Sequence, residues 1–564
     1  MQTKPPTYIR TTIGLSLLAF MFALAPFFFH FHFCADDYQL ISAALSNPFP
    51  MLNDFRGVSA GFLYRPIVSL SLALNFLISG WHPWSYFLFN ILIHAINASL
   101  CSRLVARLTF SKERFNIVAG LIFFLLPQGL MNSFWISGRT DLLCFTGMVG
   151  ALLISDRYTR NGTISTMIAT ALCFVFAIMS KESALLLFIF FAIFLFFPPV
   201  QSSQRLYRKR LWHIICVIGF FTVAYFLIRI SIFGFFIGDQ NPDQPMNLYR
   251  MGAWIFHGLI SIFFPFDPID VSSIFLAYPV LFVLIVISIV ALLTALTISI
   301  WLVESIKRRQ IFLLLFASIV SLVIYARSFP AGRLAYLIVP LVISAGFLAF
   351  SLTWHQSRII RIGLFLYFST VLFFSSILVI KYRIIANIER SAEQVVVGDR
   401  FANDTLFVVA HVGRIGQTYV ESSMPIRYSP SRISISTQEQ TPFVIDLGVF
   451  EGTILTDWQN PYTIHLNSDT LYLESSDSLS GFVPMTALKF QSLESIRNSG
   501  INQRPVTFSS LRQGIAHSIM IYPVSGQRAQ VVYFQEGKFM RVSFKEFRSR
   551  FSNSNLSLIA HSTK

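Results

Sequence analysis

A succession of long apolar segments, each closed by a short cluster of charge, limits what this chain can fold into. Inside a bilayer every backbone N–H and C=O must be satisfied within its own segment, so a lone apolar run of this kind can only be a helix. Hydrophobic residues make up 54% of the 564, charged residues only 12%, and Phe alone contributes 60. A soluble domain needs roughly twice that share of charge. The composition therefore excludes a soluble globular protein and points to a polytopic α-helical membrane protein. The net charge of +16 does not argue for a nucleic-acid partner. Lys and Arg sit in short loops between apolar runs, where they set membrane orientation, and they form no continuous basic face.

Orientation follows from the first run. Lys4 and Arg10 precede an apolar stretch from Thr11 to Phe29, which places its start in the cytoplasm. The bulky run Phe28 to Phe33 lacks the small residues that signal-peptidase cleavage needs, so this stretch is expected to stay as the first span. Further spans are expected at about Ser85–Leu104, Phe115–Gly129, the stretch that follows Asp141, Ile164–Met179, the stretch after Ser183, Leu211–Ile232, 273–303, 311–326, the stretch before Arg358, and 362–381. That is about eleven in all, a count that the distribution of basic loops selects. The short stretch Pro66–Ile78 and residues 249–270 are read as interfacial or re-entrant. From Arg383 hydropathy collapses into short alternating runs such as Thr405–Val409 and Gln530–Phe534. These predict a β-rich soluble domain over 383–564, exported by the span count, after a membrane module over 1–382. The expected setting is a bacterial inner membrane, with the lipid bilayer itself as a partner.

With this threading the basic clusters fall inside, and a second set of polar residues falls at the outer ends of the spans. Asp36 and Asp37 follow the first span, and Arg65 precedes Pro66. Arg139 and Asp141 open the fourth span, Lys181 and Glu182 precede the sixth, and Arg327 and Arg333 flank a Phe-Pro-Ala-Gly turn. A charge at a membrane boundary is costly unless it has a partner or a task. The carboxylate pair suits a general base, because partial desolvation raises its basicity; the alternative is a helix N-cap. Arg139 with Asp141 and Lys181 with Glu182 read as local ion pairs. Several cations converging with Arg327 and Arg333 would make a phosphate site. Asn90, His94 and Asn97 share one face of the second span, and interhelical hydrogen bonding is favoured there over ligand binding. Five cysteines show no metal or disulfide spacing; Cys34 reads as a packing residue. A base facing phosphate-holding cations at one membrane face suits transfer of a group from a lipid phosphate to a hydroxyl.

These residues also resemble a known family. Ala35-Asp36-Asp37-Tyr38 resembles the acidic first-loop motif of the GT-C glycosyltransferases. Tyr64-Arg65-Pro66, the run Asn90 to Asn97, Trp135 to Asp141, Ser180-Lys181-Glu182-Ser183 and Arg333-Leu334-Ala335-Tyr336-Leu337 resemble the protein O-mannosyltransferase-like, TMTC-like branch. The resemblance covers roughly residues 10 to 380. It implies a polyprenyl-phosphate-linked sugar donor, a hydroxyl acceptor on protein, lipid or glycan, and inverting transfer on the non-cytoplasmic side. Asp36 would be the base, and Asp37 would orient it or bind a metal. Arg139, Lys181, Arg327 and Arg333 would contact the donor phosphate, with Arg65, His94, Asp141 and Glu182 supporting. The sequence does not require a divalent metal. Family members carry tetratricopeptide repeats at the C-terminus, where this chain has the β-rich stretch. The alternatives are a transporter or flippase of a lipid-linked glycan, which needs broken helices near the mid-bilayer and repeat symmetry, neither of which the sequence shows, and a membrane-anchored scaffold.

Overall fold

The computed structural model describes residues 7–34, 36–45, 64–109, 113–196, 204–233, 278–322, 332–353 and 358–396, together with strands and isolated residues elsewhere. Arg327, the polar loop at 238–245 and most of the stretch at 249–270 lie outside the described residues. By internal contacts the chain divides into two units. The first comprises Met1–His30, Ala43–Asp267 and Tyr278–Ile380; the second comprises Phe31–Ser42, Pro268–Ala277 and Lys381–Lys564.

The described helices are α1 (Thr7–Phe28), α2 (Asp37–Leu45), α3 (Pro66–Ser79), α4 (Trp84–Thr109), α5 (Glu113–Leu125), α6 (Pro127–Phe134) and α7 (Arg139–Asn161). They continue as α8 (Ile164–Ile178), α9 (Leu187–Phe196), α10 (Gln204–Phe233), α11 (Pro279–Leu302), α12 (Ser305–Leu322), α13 (Val339–Thr353) and α14 (Arg358–Val396). Each expected span has a helical counterpart. By length and composition, however, only four of the described helices can cross a bilayer (α4, α10, α11 and α14), or five if the bent pair α5–α6 counts as one. Among the rest, Thr12–Phe28 of α1, α3, α8 and α13 are shorter apolar helices, and α7 carries buried charge. Large apolar side chains face outward, among them Leu77, Val280 and Phe365. In water such a surface would aggregate, and in lipid it is the natural solvent face. This is a multi-pass integral membrane protein.

One expected span is interrupted. The apolar run from Phe115 to Gly129 predicts one continuous span, yet α5 and α6 meet at 56°. Pro127 has no N–H to donate, and it holds Leu126 in an extended conformation at φ −65°, ψ 134°. The carbonyls freed at the end of α5 are taken up by side chains from elsewhere. His94 binds Phe124 O at 3.1 Å and Ser375 Oγ donates to Leu125 O at 2.8 Å. A break at membrane depth is tolerable on that condition.

Within the first unit, contacts fix the helix directions. Arg139 near the start of α7 meets Asn90 of α4, and Asp156 near its end meets Arg107 of α4, so α4 and α7 run parallel. Arg210, at the start of α10, donates to Thr159 O at 3.1 Å at the end of α7, so α10 runs the other way. Gly147 lets α7 and α8 approach closely: an added Cβ would lie 2.6 Å from Cys173 O.

In the second unit, α14 continues well past Arg383, where hydropathy had suggested that the membrane module ends. Lys381, Tyr382, Ile385, Ala386, Ile388, Glu389 and Ala392 are buried, the spacing of one helical stripe. Beyond it the backbone forms strands. The two runs named above coincide with strands Thr405–Val408 (β1) and Gln530–Gln535 (β3), which pair in parallel with Leu406 opposite Gln530. With Phe443–Asp446 (β2) and Lys538–Ser543 (β4) at its edges, they make a four-stranded sheet of order β4-β3-β1-β2.

Candidate functional site

The first-loop carboxylates belong to the second unit. Asp36 occupies the N-cap position of α2 by its backbone, its carbonyl accepting from Leu40 N–H at 2.9 Å. Asp37 opens the helix and is buried, where its charge opposes the positive end of the helix dipole. Its Oδ2 accepts from Cys34 N–H at 3.0 Å, while its own N–H donates to Cys34 O at 3.1 Å, closing the turn between α1 and α2. The segment after the first span therefore begins with a helix. Burial pushes the Cys34 thiol well up, and the carboxylates of Asp37, Glu389 and Asp36 add to that, so Cys34 is an inert packing residue. Tyr38 OH pairs with His32 Nδ1 at 3.2 Å.

In the first unit five of the sequence-marked residues gather at one end of the bundle. Arg139 is fully buried. Its Nε donates to Asn90 Oδ1 at 2.8 Å, Nη1 to Ser71 O at 3.1 Å and Nη2 to Tyr86 O at 3.2 Å. Its guanidinium also lies over the Phe89 ring at 4.6 Å. The segment that delivers it is tightly packed at Gly138, where a Cβ would lie 2.5 Å from Asn132 O. Asp141, fully buried one position before the first turn ends, takes Lys181 Nζ at 2.7 Å on both oxygens. Glu182 is held by Arg65 Nη2 at 3.3 Å and by Arg229 of α10. The local pairs read from the sequence, Arg139 with Asp141 and Lys181 with Glu182, are thus replaced. The carboxylate of each supposed pair is taken by a cation from a distant segment of the chain, because helix arrangement and not chain proximity decides which side chains meet.

His94 lies deeper and is also fully buried. A carbonyl only accepts, so the 3.1 Å contact to Phe124 O assigns the proton to Nε2. Nδ1 then accepts from Tyr336 OH at 2.9 Å. The same hydroxyl accepts from Asn97 Nδ2 at 3.1 Å, and Asn97 Oδ1 accepts from Thr146 at 2.7 Å. This is the interhelical hydrogen bonding favoured for the polar stripe of α4. Arg333 falls in the 3-10 turn Gly332–Leu337, of which the backbone is described.

Sequence reasoning missed Arg229 and Tyr336 as partners. Arg229 sits in the apolar run of α10, and its one signal was being charged there at all. At the opposite end of the bundle, Asp156 joins Arg107 to Arg160, and Arg210 donates to the last carbonyls of α7. Among the described residues no group of three or more His, Cys, Asp or Glu is arranged to hold a metal ion.

Comparisons with known proteins place these features in context. No family model matches the chain. It is 37% identical over 79 residues to protein O-mannosyl-transferase tmtc2 of Xenopus laevis, covering 14% of this chain and 9% of that protein. Over 138 residues it is 30% identical to protein O-mannosyl-transferase Tmtc1 of Drosophila melanogaster, 24% of this chain and 16% of that one. Over 173 residues it is 31% identical to human protein O-mannosyl-transferase TMTC3, 27% and 18% respectively. Among solved structures, ArnT from Cupriavidus metallidurans bound to undecaprenyl phosphate aligns with a TM-score of 0.42 and 12% identity, over 93% of this chain and 99% of that one. The chain is similar in sequence to the TMTC protein O-mannosyl-transferases, and its matches span 9% to 18% of their length.

Proposed function

We propose that this protein is an integral-membrane glycosyltransferase. It moves a sugar from a polyprenyl-phosphate-linked donor to a hydroxyl acceptor on the non-cytoplasmic face, with inversion. The observation that carries the reading is the gathering of Arg65, Arg139, Asp141, Lys181 and Glu182 at one end of the helical unit, in segments that resemble the O-mannosyltransferase branch. In this reading Asp36 takes the proton of the acceptor hydroxyl, and Asp37 orients the turn that holds it. The acceptor oxygen bonds to the anomeric carbon as the bond to the lipid phosphate breaks, and the lipid phosphate leaves with the electron pair. Arg327 and Arg333 contact that phosphate. Arg139 and Lys181 contribute positive charge and, through their internal partners, hold the helix ends that form the site. Residues 383–564 form an exported β-rich domain in the same reading.

The test is transfer by the purified protein from labelled polyprenyl-phosphate sugars to a panel of hydroxyl acceptors. Labelled product is expected with at least one donor, and its absence with all of them removes the assignment. A second reading, transport of a lipid-linked glycan, gains from the α5–α6 break, since discontinuous helices mark transport sites. It is distinguished by movement of intact labelled donor across a vesicle membrane with no new glycosidic bond.

A further inference from the structure

The polar chain running through His94 has a property that packing alone does not require. It ties two discontinuities, the end of α5 at Phe124 and the 3-10 turn Gly332–Leu337 before α13, to the polar stripe of α4. Every side-chain polar group of Tyr336 and His94 is used. The hydroxyl donates to His94 Nδ1 at 2.9 Å and accepts from Asn97 at 3.1 Å, while His94 Nε2 donates to Phe124 O. The Tyr336 ring is clamped as well, 4.9 Å from the Phe123 ring of α5 and 5.1 Å from the Phe145 ring of α7. Tyr336 is buried, as are His94 and Asn97, so a lost bond cannot be replaced by bulk water. The α6 helix also packs against this turn. A 3-10 turn is a weak element, with poorer hydrogen-bond geometry than an α-helix. Its position therefore depends on such anchors.

We propose that Tyr336 is a positioning residue: through His94 and Asn97 it fixes the Gly332–Leu337 turn, and so the backbone that carries Arg333, relative to α4 and the broken helix pair. The inference rests on the assignment of Arg333 to the donor phosphate made above. It predicts coupling between two residues of one turn that act at different places, Tyr336 on the bundle and Arg333 on the ligand.

The experiment is a double-mutant cycle on the full chain in detergent or nanodiscs, read as the Kd for polyprenyl phosphate without sugar. Tyr336→Phe keeps the ring and removes the hydroxyl, and should weaken binding on the order of tenfold, the equivalent of one hydrogen bond. Arg333→Ala should weaken it at least as much, and Tyr336→Phe added to Arg333→Ala should weaken it no further. Effects that multiply, or a Tyr336→Phe protein that binds like the wild type, overturn the proposal. Of the two bonds at the Tyr336 hydroxyl, Asn97→Ala removes only the one it accepts, although it also ends the contacts of Asn97 with Leu142 O and Thr146; it should weaken binding less, and it supplies the same cycle should Tyr336→Phe not fold. If the wild type binds no polyprenyl phosphate, the donor reading itself has failed, an outcome separate from a wild type that binds and a Tyr336→Phe that binds equally.

Discussion

Replacing Lys181 by Met tests how the charged end of the bundle is held. Lys181 Nζ lies 2.7 Å from both oxygens of Asp141, a residue with no exposed surface. Removing the ammonium strands a carboxylate in a medium that cannot solvate it, and breaking a buried pair in this way costs about 3 to 5 kcal/mol. That corresponds to a shift on the order of a thousandfold in the unfolding equilibrium. Adding Asp141→Asn removes the stranded charge while keeping its shape, and should recover most of the loss. The assay is chemical unfolding of the purified protein in mixed micelles, followed by tryptophan fluorescence. A Lys181→Met protein as stable as the wild type would refute the reasoning, since Asp141 would then have no need of its cation. Activity of the double variant adds a second result. If it folds like the wild type and still transfers sugar, Lys181 serves the scaffold alone; if it folds and is inactive, its charge also acts on the donor.

Asp36→Asn should lower sugar transfer by about 10²–10⁴-fold, the usual contribution of a positioned base, with expression and elution volume unchanged; full activity in the labelled-donor assay would remove its role. Glu182→Gln takes the shared carboxylate from Arg65 and Arg229 and, with Glu182 partly exposed, should cost about 1–3 kcal/mol, seen as a lower unfolding midpoint in the same micelles. Arg210→Ala removes donors from the carbonyls of Thr159 and Arg160 at the C-terminus of α7. It should cost about 0.3–1 kcal/mol and speed hydrogen exchange in the last turn of α7 while leaving transfer intact.

Much of the fold was legible because apolar runs and boundary charges are local in sequence. The start of α7 at Arg139 and the break before α9 at Lys181–Glu182 were marked by charges at the ends of apolar runs, and the structure places helix boundaries there. The break at Pro127 has a local signal, a proline inside an apolar run, but the run stays hydrophobic across it and so reads as one span. The extension of α14 was hidden by hydropathy, which falls at Arg383 although the stripe through Ile385, Glu389 and Ala392 continues. A change of period would have shown it where a change of mean did not.

The sequence by itself determined that the chain lives in a membrane, where most of its apolar runs lie, and that many of its unusual charges stand at the ends of those runs, because each of these follows from the cost of exposing polar groups to lipid. Which charges meet was decided only by the tertiary structure. Asp141 takes Lys181 from forty positions away, and Glu182 takes Arg229 from α10. The reason is physical: an ion pair forms over a few ångströms, and the distance between two helix ends is set by how helices pack, which local sequence does not encode.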